Sequence, residues 1–429
     1  MFRRLIGPTI LLAVLLSMVS SGVAEPPAGT EPTIVKENGV TYVRNGATPV
    51  HGIETMELKE AWRIGDDDAD DSVILGLPAK VLIGSDGNLY LLDIRSVDVK
   101  VFSPDGRYLG SIGREGEGPG EFENASEMLF LDDTTLGVAQ MYPPKIVGVH
   151  LDGTEAGFIR PLQQNTDEPD QGIVLSRLQQ GGDNLVLAGI AVSFNAEKGR
   201  MTRTYFVRAY DRQGHPGVEY VSRRVGWTLE QDMKLREDDF HSPGDMMSVD
   251  SGGRVYVVEN PDRYAISVYD PGGALVRVIE REYKSWKRNV MATSIARNVL
   301  ASEARSFPQP NTMELRENES DIVNMRCAAD GTLWVQTSRA LFFGGRHFGG
   351  FDSFTRWDVF SREGVFLKQV QVNVPGRPVL DYMLVTDHGY VVVIRNFLDG
   401  ALTMMGVGGV VNVGRDQENL QVICYKVKS

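Results

Sequence analysis

Along most of this chain apolar residues alternate with polar ones in short runs broken by glycine, the period-two pattern of strands rather than the wider spacing of helices. One run, "GSDGNLYLLDIRSVDVKVFSPDGRYLGSI" from Gly84 to Ile112, returns as "DSGGRVYVVENPDRYAISVYDPGGALVRVI" from Asp250 to Ile279. Each copy reads strand, Gly turn, strand, loop, strand, Gly turn, strand. A repeat of this size governs the fold before any single residue does.

Aligning the rest of the chain on these copies places Asp86-Gly87, Asp132-Asp133, Gly182-Asp183, Gly252-Gly253, Asp330-Gly331 and Asp387-His388-Gly389 at one turn, which predicts six units. A second hairpin turn follows at Asp105-Gly106, Asp152-Gly153, Gln213-Gly214, Gly272-Gly273 and Glu363-Gly364. Four-stranded antiparallel meanders in sequence are the blades of a β-propeller, so the fold class is all-β and six-bladed. The last unit ends after a third strand, "LQVICYKV". Leu58 to Gly65, "LKEAWRIG", matches the outer strand of the first unit and is expected to complete the last blade, because an open ring would leave an unpaired edge. Between blades four and five, Val290 to Arg305 reads as a short helical insertion ended before Pro308.

A chain of 429 residues with 46 Gly and 42% hydrophobic content is filled by one propeller, so no second domain is needed. The formal net charge of -13, with no Lys/Arg tract, excludes a nucleic-acid surface, which rests on clustered cations. At the N-terminus, Arg3 and Arg4 precede an apolar stretch from Leu5 to Val19 and small residues up to Ala24. This predicts a signal peptide over residues 1–24, too short for a membrane span, and an exported protein, periplasmic or extracellular. Residues 25–54 then read as a flexible lead-in, and the propeller occupies 55–429. Cys327 and Cys424 fall at small core positions on different blades and are expected as free thiols.

"LYLLDIRSVDVKVFSPDGRYLGSIGREGEGPGEF", Leu89 to Phe122, resembles the NHL-repeat type of six-bladed propeller found in exported bacterial proteins. The Asp93 after the second strand, the Val-x-Val-Phe third strand, the Asp-Gly turn and the final Gly-x-Gly-Pro-Gly-x-Phe carry the likeness. It implies a fold but not a function, because such rings host both binding modules and enzymes. The Gly116 to Gly120 run is not a phosphate loop, since it joins two strands and opens no helix; Phe122 is expected to wedge between blades.

Both Gly hairpins of each blade face one side of the disc, and the long connections face the other. The loop between second and third strands gains about a dozen residues in blades three and five and about twenty in blade six. Long loops on one rim are where a rigid scaffold carries binding, so the expected function is a non-enzymatic propeller recognising a peptide, glycan or protein partner there. Arg95, Arg263, Arg339, Arg346, His347, Tyr283, Trp286 and Arg395 are the candidate ligand-binding residues, because guanidinium forks and aromatic faces suit carboxylates, sugars and peptides. Asp93 reads instead as a loop cap bonding its own backbone.

The alternative is a calcium-assisted hydrolase or lactonase at the channel mouth, with Glu127, Asp245, Asn324 and Asp381 at or near the starts of inner strands as oxygen ligands. No three of the histidines can meet at that mouth. The acidic run Asp66 to Asp71 lacks the Gly of a calcium loop and reads as a solvated surface segment. A serine elbow and cofactor fingerprints are absent, so no cofactor is expected outside the calcium reading.

Overall fold

The structure, a computed structural model, describes residues 29, 31–65, 73–162, 172–230, 232–308, 311–342, 354–407 and 420–428. The expected signal peptide over residues 1–24, the acidic run Asp66 to Asp71, and Arg346 and His347 lie outside the described residues.

Six sheets form the blades of the ring. Blade one comprises Pro78–Ile83, Leu89–Asp93, Asp98–Phe102 and Tyr108–Ile112, and blade two Ala125–Asp132, Thr135–Gln140, Lys145–His150 and Glu155–Ile159. Blade three has the longest strands, Gly172–Gly181, Asn184–Asn195, Arg200–Tyr210 and Pro216–Thr228. Blade four comprises Met247–Val249, Val255–Val257, Ala265–Tyr269 and Leu275–Arg281, and blade five Ile322–Cys327, Leu333–Thr337, Thr355–Phe360 and Phe366–Val372. The sixth joins Tyr382–Val385, Tyr390–Ile394 and Val422–Val427 to an N-terminal strand, Leu58–Ile64. That strand pairs antiparallel with the last one, Ile64 opposite Val422 and Leu58 opposite Val427, so an N-terminal strand completes the last blade.

Apolar faces of adjacent blades press together to make the core. Val99, Val101 and Ile112 of blade one meet Met128, Leu136 and Val138 of blade two, and Phe122 is fully buried between them. Gly113 makes that wedge possible. It sits at φ +71°, and a Cβ there would lie 2.3 Å from Phe122 Cε1.

The N-terminal segment departs from the expected flexible lead-in. β1 (Thr33–Glu37) and β2 (Val40–Asn45) form a hairpin, and β3 (Ile53–Met56) follows before the closing strand, β4 (Leu58–Ile64). β2 runs parallel to the outer strand of blade four, and β3 runs parallel to that of blade five. The segment is therefore a belt that covers two blade edges before closing a third, which removes exposed strand edges.

The enlarged connections gather into a cap on one face of the ring. In blade three the extra residues are not a loop but strand, continuing the second and third strands to a turn at residues 196–199. In the link after blade four, α1 (Val290–Ala304) starts where the Asn289 side chain accepts a bond from Ala292 N. The links before and after blade four pair in parallel, Met233–Arg236 with Asn311–Glu314. Trp227, Met201, Leu235 and Phe307 bury a small core under this cap, and Arg203 sits among the rings of Trp227, Phe240 and Phe307 while bonding Glu303 at 2.7 Å. Two further helices, α2 (Ser338–Phe342) and α3 (Phe397–Met404), follow the second strands of blades five and six. The end of α1 is tied to the end of α3 by Ser302 Oγ to Met405 O at 3.3 Å and Arg305 Nη1 to Gly406 O at 3.2 Å.

Candidate functional site

Most of the side chains expected to bind ligand on the rim hold the rim together instead. Trp286 is buried and donates from Nε1 to Ser338 Oγ at 3.0 Å. Arg339 donates to the Lys284 carbonyl at 2.8 Å and lies over the Tyr283 ring. Tyr283 itself packs at the edge of the core between blades four and five. Arg395 is paired with Asp381 at 2.9 Å, and the exposed Arg263 with Glu280 at 2.7 Å. Arg95 is exposed, with its amide bonded to Asp93 at 3.2 Å. Asp93 is the loop cap its position implied: it accepts from the amides of Gly76, Leu77, Arg95 and Ser96.

The chemistry lies one layer deeper, in the channel. Four inner strands carry a register shift near their starts, between Pro78 and Lys80, Ala125 and Glu127, Leu175 and Arg177, and Ile322 and Asn324. A β-bulge turns the strand locally and re-aims the next side chain. The residues after the shifts pair with equivalent positions of the second strands, Leu92, Ala139, Ala188 and Gln336, and so stand at one level around the ring. Blade four reaches that level by a 3-10 turn, Pro243–Met246, which carries Asp245, and blade six through Tyr382, opposite Ile394. Lys80, Glu127, Arg177, Asp245, Asn324 and Tyr382 all line one cavity of about 420 Å³.

Inside this ring the charges alternate. Glu127 is nearly inaccessible, takes a 2.8 Å ion pair from Lys80 and a longer one, 3.6 Å, from Arg177, and accepts from Met128 N. The Arg177 side chain keeps 39% exposure, to the channel it lines, and its second nitrogen reaches the Asp245 carbonyl at 3.4 Å. Burial opposes its charge, but Glu127, Tyr382 and Asp245 outweigh that and raise its pKa further. The Asp245 side chain is open to the channel but enclosed by protein, and this burial pushes its carboxyl above the usual aspartate range against the pull of Arg177. Glu303, near the end of α1 in the cap, adds to that push.

The expected calcium set does not hold together. Glu127, Asp245 and Asn324 stand in the ring, but Glu127 is already neutralised by two cations. Asp381 is one residue out of place: its carboxylate caps the loop, accepting from Arg377 N, Asn396 N and Arg395. Among the described residues no three or more His, Cys, Asp and Glu are grouped to hold a metal ion. Lys80 and Arg177, absent from the expected set, occupy the same register as Glu127 and Asn324; counting back from the Gly turns finds them once cations are admitted as well as oxygen donors. Cys424 is buried, whereas Cys327 lines the channel and is only partly covered; both are free.

One comparison with known proteins agrees on the architecture. Residues 68–154 match the model of the DUF5128 family, described as a 6-bladed beta-propeller. No curated protein matches the chain. Among solved structures, a member of the duf4221 family from Bacteroides vulgatus is similar at 12% identity and a TM-score of 0.47, covering 87% of this chain and 99% of that one. The calcium-binding protein regucalcin from Agrobacterium tumefaciens is similar at 10% identity and a TM-score of 0.40, covering 88% and 97%. Virginiamycin B lyase from Staphylococcus aureus is similar at 9% identity and a TM-score of 0.37, covering 87% and 100%. At these values the likeness carries no functional information. The chain is a six-bladed β-propeller, and among the described residues no helix is long and apolar enough to cross a membrane.

Proposed function

We propose that this is an exported, non-enzymatic binding propeller whose recognition site is the capped mouth of the channel rather than the outer rim. The observation that carries the reading is the ring itself: six blades each bring one polar or charged residue to a single level around a 420 Å³ cavity. Ligand pockets of small molecules span roughly 300–1,000 Å³ and use a few convergent polar groups, and this cavity fits both criteria. A fold needs no bulge repeated at one level, nor opposite charges facing a shared lumen, where their desolvation is a cost. Export rests on the leader at residues 1–24.

The calcium-assisted alternative gains no support, because two of its four oxygen donors already have cationic partners from the protein. Native mass spectrometry of protein isolated from its own exported fraction tests the binding reading. The wild type is expected to carry a small ligand that the Arg177→Met variant, shown to be folded by its circular dichroism spectrum, loses. Retention of the same ligand by that variant would remove the channel from consideration.

A further inference from the structure

Four charges stand in the ring, but they are not equally available. Lys80 and Glu127 neutralise each other at 2.8 Å, and Glu127, although it lines the cavity, is almost covered, with a side-chain exposure of 3%. Arg177 and Asp245 are different. They sit on neighbouring blades, both open to the lumen, and the contacts of Arg177 are long, 3.6 Å to Glu127 and 3.4 Å to the Asp245 carbonyl. A guanidinium carries five donors in a fixed fork, so these two contacts engage one donor on each terminal nitrogen and leave three for an incoming acceptor. Gln179, which bridges blades three and four through Val249 N at 2.8 Å and Met247 O at 3.3 Å, ties the strand that carries Arg177 to the strand that follows the turn of Asp245.

We propose, building on the channel-mouth reading above, that the ring selects a zwitterion of the amino-acid or short-peptide type, with Arg177 receiving the carboxylate and Asp245 the ammonium group. A neutral glycan offers neither group a charge of opposite sign. A dicarboxylate meets Asp245, and a polycation meets Arg177 and Lys80. Only a ligand bearing both signs complements both neighbours, and an unmatched buried charge is what specificity of this kind penalises. Asn324 and Tyr382, which complete the ring, supply neutral hydrogen-bonding groups for the ligand's backbone.

The test is calorimetric titration of the mature full chain with trialanine, free L-alanine, N-acetyl-trialanine, trialanine amide and, as a neutral control, maltotriose. Trialanine or L-alanine is expected to bind, and whichever binds more tightly identifies a peptide or a free amino acid as the source. Acetylation and amidation are each expected to weaken trialanine by roughly tenfold or more, the size of a lost charge-assisted bond. If L-alanine alone binds, N-acetyl-L-alanine and L-alaninamide take the place of the two capped peptides. Asp245→Asn should abolish the sensitivity to acetylation, and Arg177→Met the sensitivity to amidation. Equal binding of free and capped probes, or no binding by either zwitterion, overturns the proposal. Maltotriose binding that Arg177→Met removes, with neither zwitterion bound, would sink the ligand class and leave the channel site standing. Binding that neither variant affects would sink both.

Discussion

The side-chain oxygen of Asn45 accepts a 2.8 Å hydrogen bond from the backbone amide of Phe366, across 321 residues of sequence. The same buried amide donates to the carbonyls of Glu280 and Gly364, each at 2.9 Å. One side chain of the N-terminal belt thus pins the outer strand of blade four to a hairpin of blade five. Asn45→Ala leaves three backbone groups unmatched, and a loss of about 2–4 kcal/mol is expected. Chemical denaturation checks it: a midpoint equal to that of the wild type would show the belt to be dispensable at this point.

Close by, Asp358 is buried and held by Arg281, by Tyr264 OH at 2.8 Å and by Gln369 Nε2 at 2.8 Å. Arg281 also lies over the Phe366 ring, 4.6 Å from its centre. Removing one partner of a buried pair strands the other, so Arg281→Met is expected to cost roughly 3–5 kcal/mol. The double variant Arg281→Met with Asp358→Leu should recover part of that loss, since no charge is then left without its partner. A double variant less stable than the single one would contradict this account.

The ring is legible in the sequence because every blade repeats the same demand, a glycine at positive φ where two strands reverse. Gly87, Gly253, Gly331 and Gly389 all show it. The belt is less legible, although Asn38-Gly39, both at positive φ, is a hairpin signal set between alternating runs. The Pro and Gly residues around it read as linker, and nothing local reveals that a strand will pair with another more than 200 residues away. The site divides in the same way. Glu127, Asp245 and Asn324 follow from strand starts, but bulges before Glu127 and Asn324 and a 3-10 turn at Asp245 set which side chain is aimed inward, and in blade six that position is Tyr382 rather than Asp381. Arg263, Arg339 and Arg395 mislead for a simpler reason: the rim uses them in its own ion pairs and carbonyl bonds.

His241 stands in the link leading into blade four, with Nε2 buried and unmatched. Burial, with Arg223 and Arg316 nearby, holds its pKa below the ordinary 6.5. The unfolded chain therefore takes up this proton first as pH falls, and stability declines from about pH 6.5 down through the folded-state value. His241→Gln should flatten that decline. Urea midpoints measured between pH 7.5 and 5 test it, and parallel curves for the two proteins would show that another group controls the slope.

Asp245 has the opposite linkage. Its folded-state pKa is raised above the ordinary 3.8, so the unfolded chain releases this proton first as pH rises. Keeping the carboxylate in the channel then costs stability from that ordinary value up through the folded one, and the full cost persists above it. Asp245→Asn removes a charge the fold resists while keeping the side-chain shape. The variant is expected to melt higher than the wild type at pH 7, with the difference shrinking toward pH 4. A residue that strains its own fold is retained for what it binds, which is the trade expected of a functional site. Melting curves of both proteins across that range decide the point: a variant that melts lower at pH 7 would make Asp245 a structural residue and take away half of the proposed recognition pair.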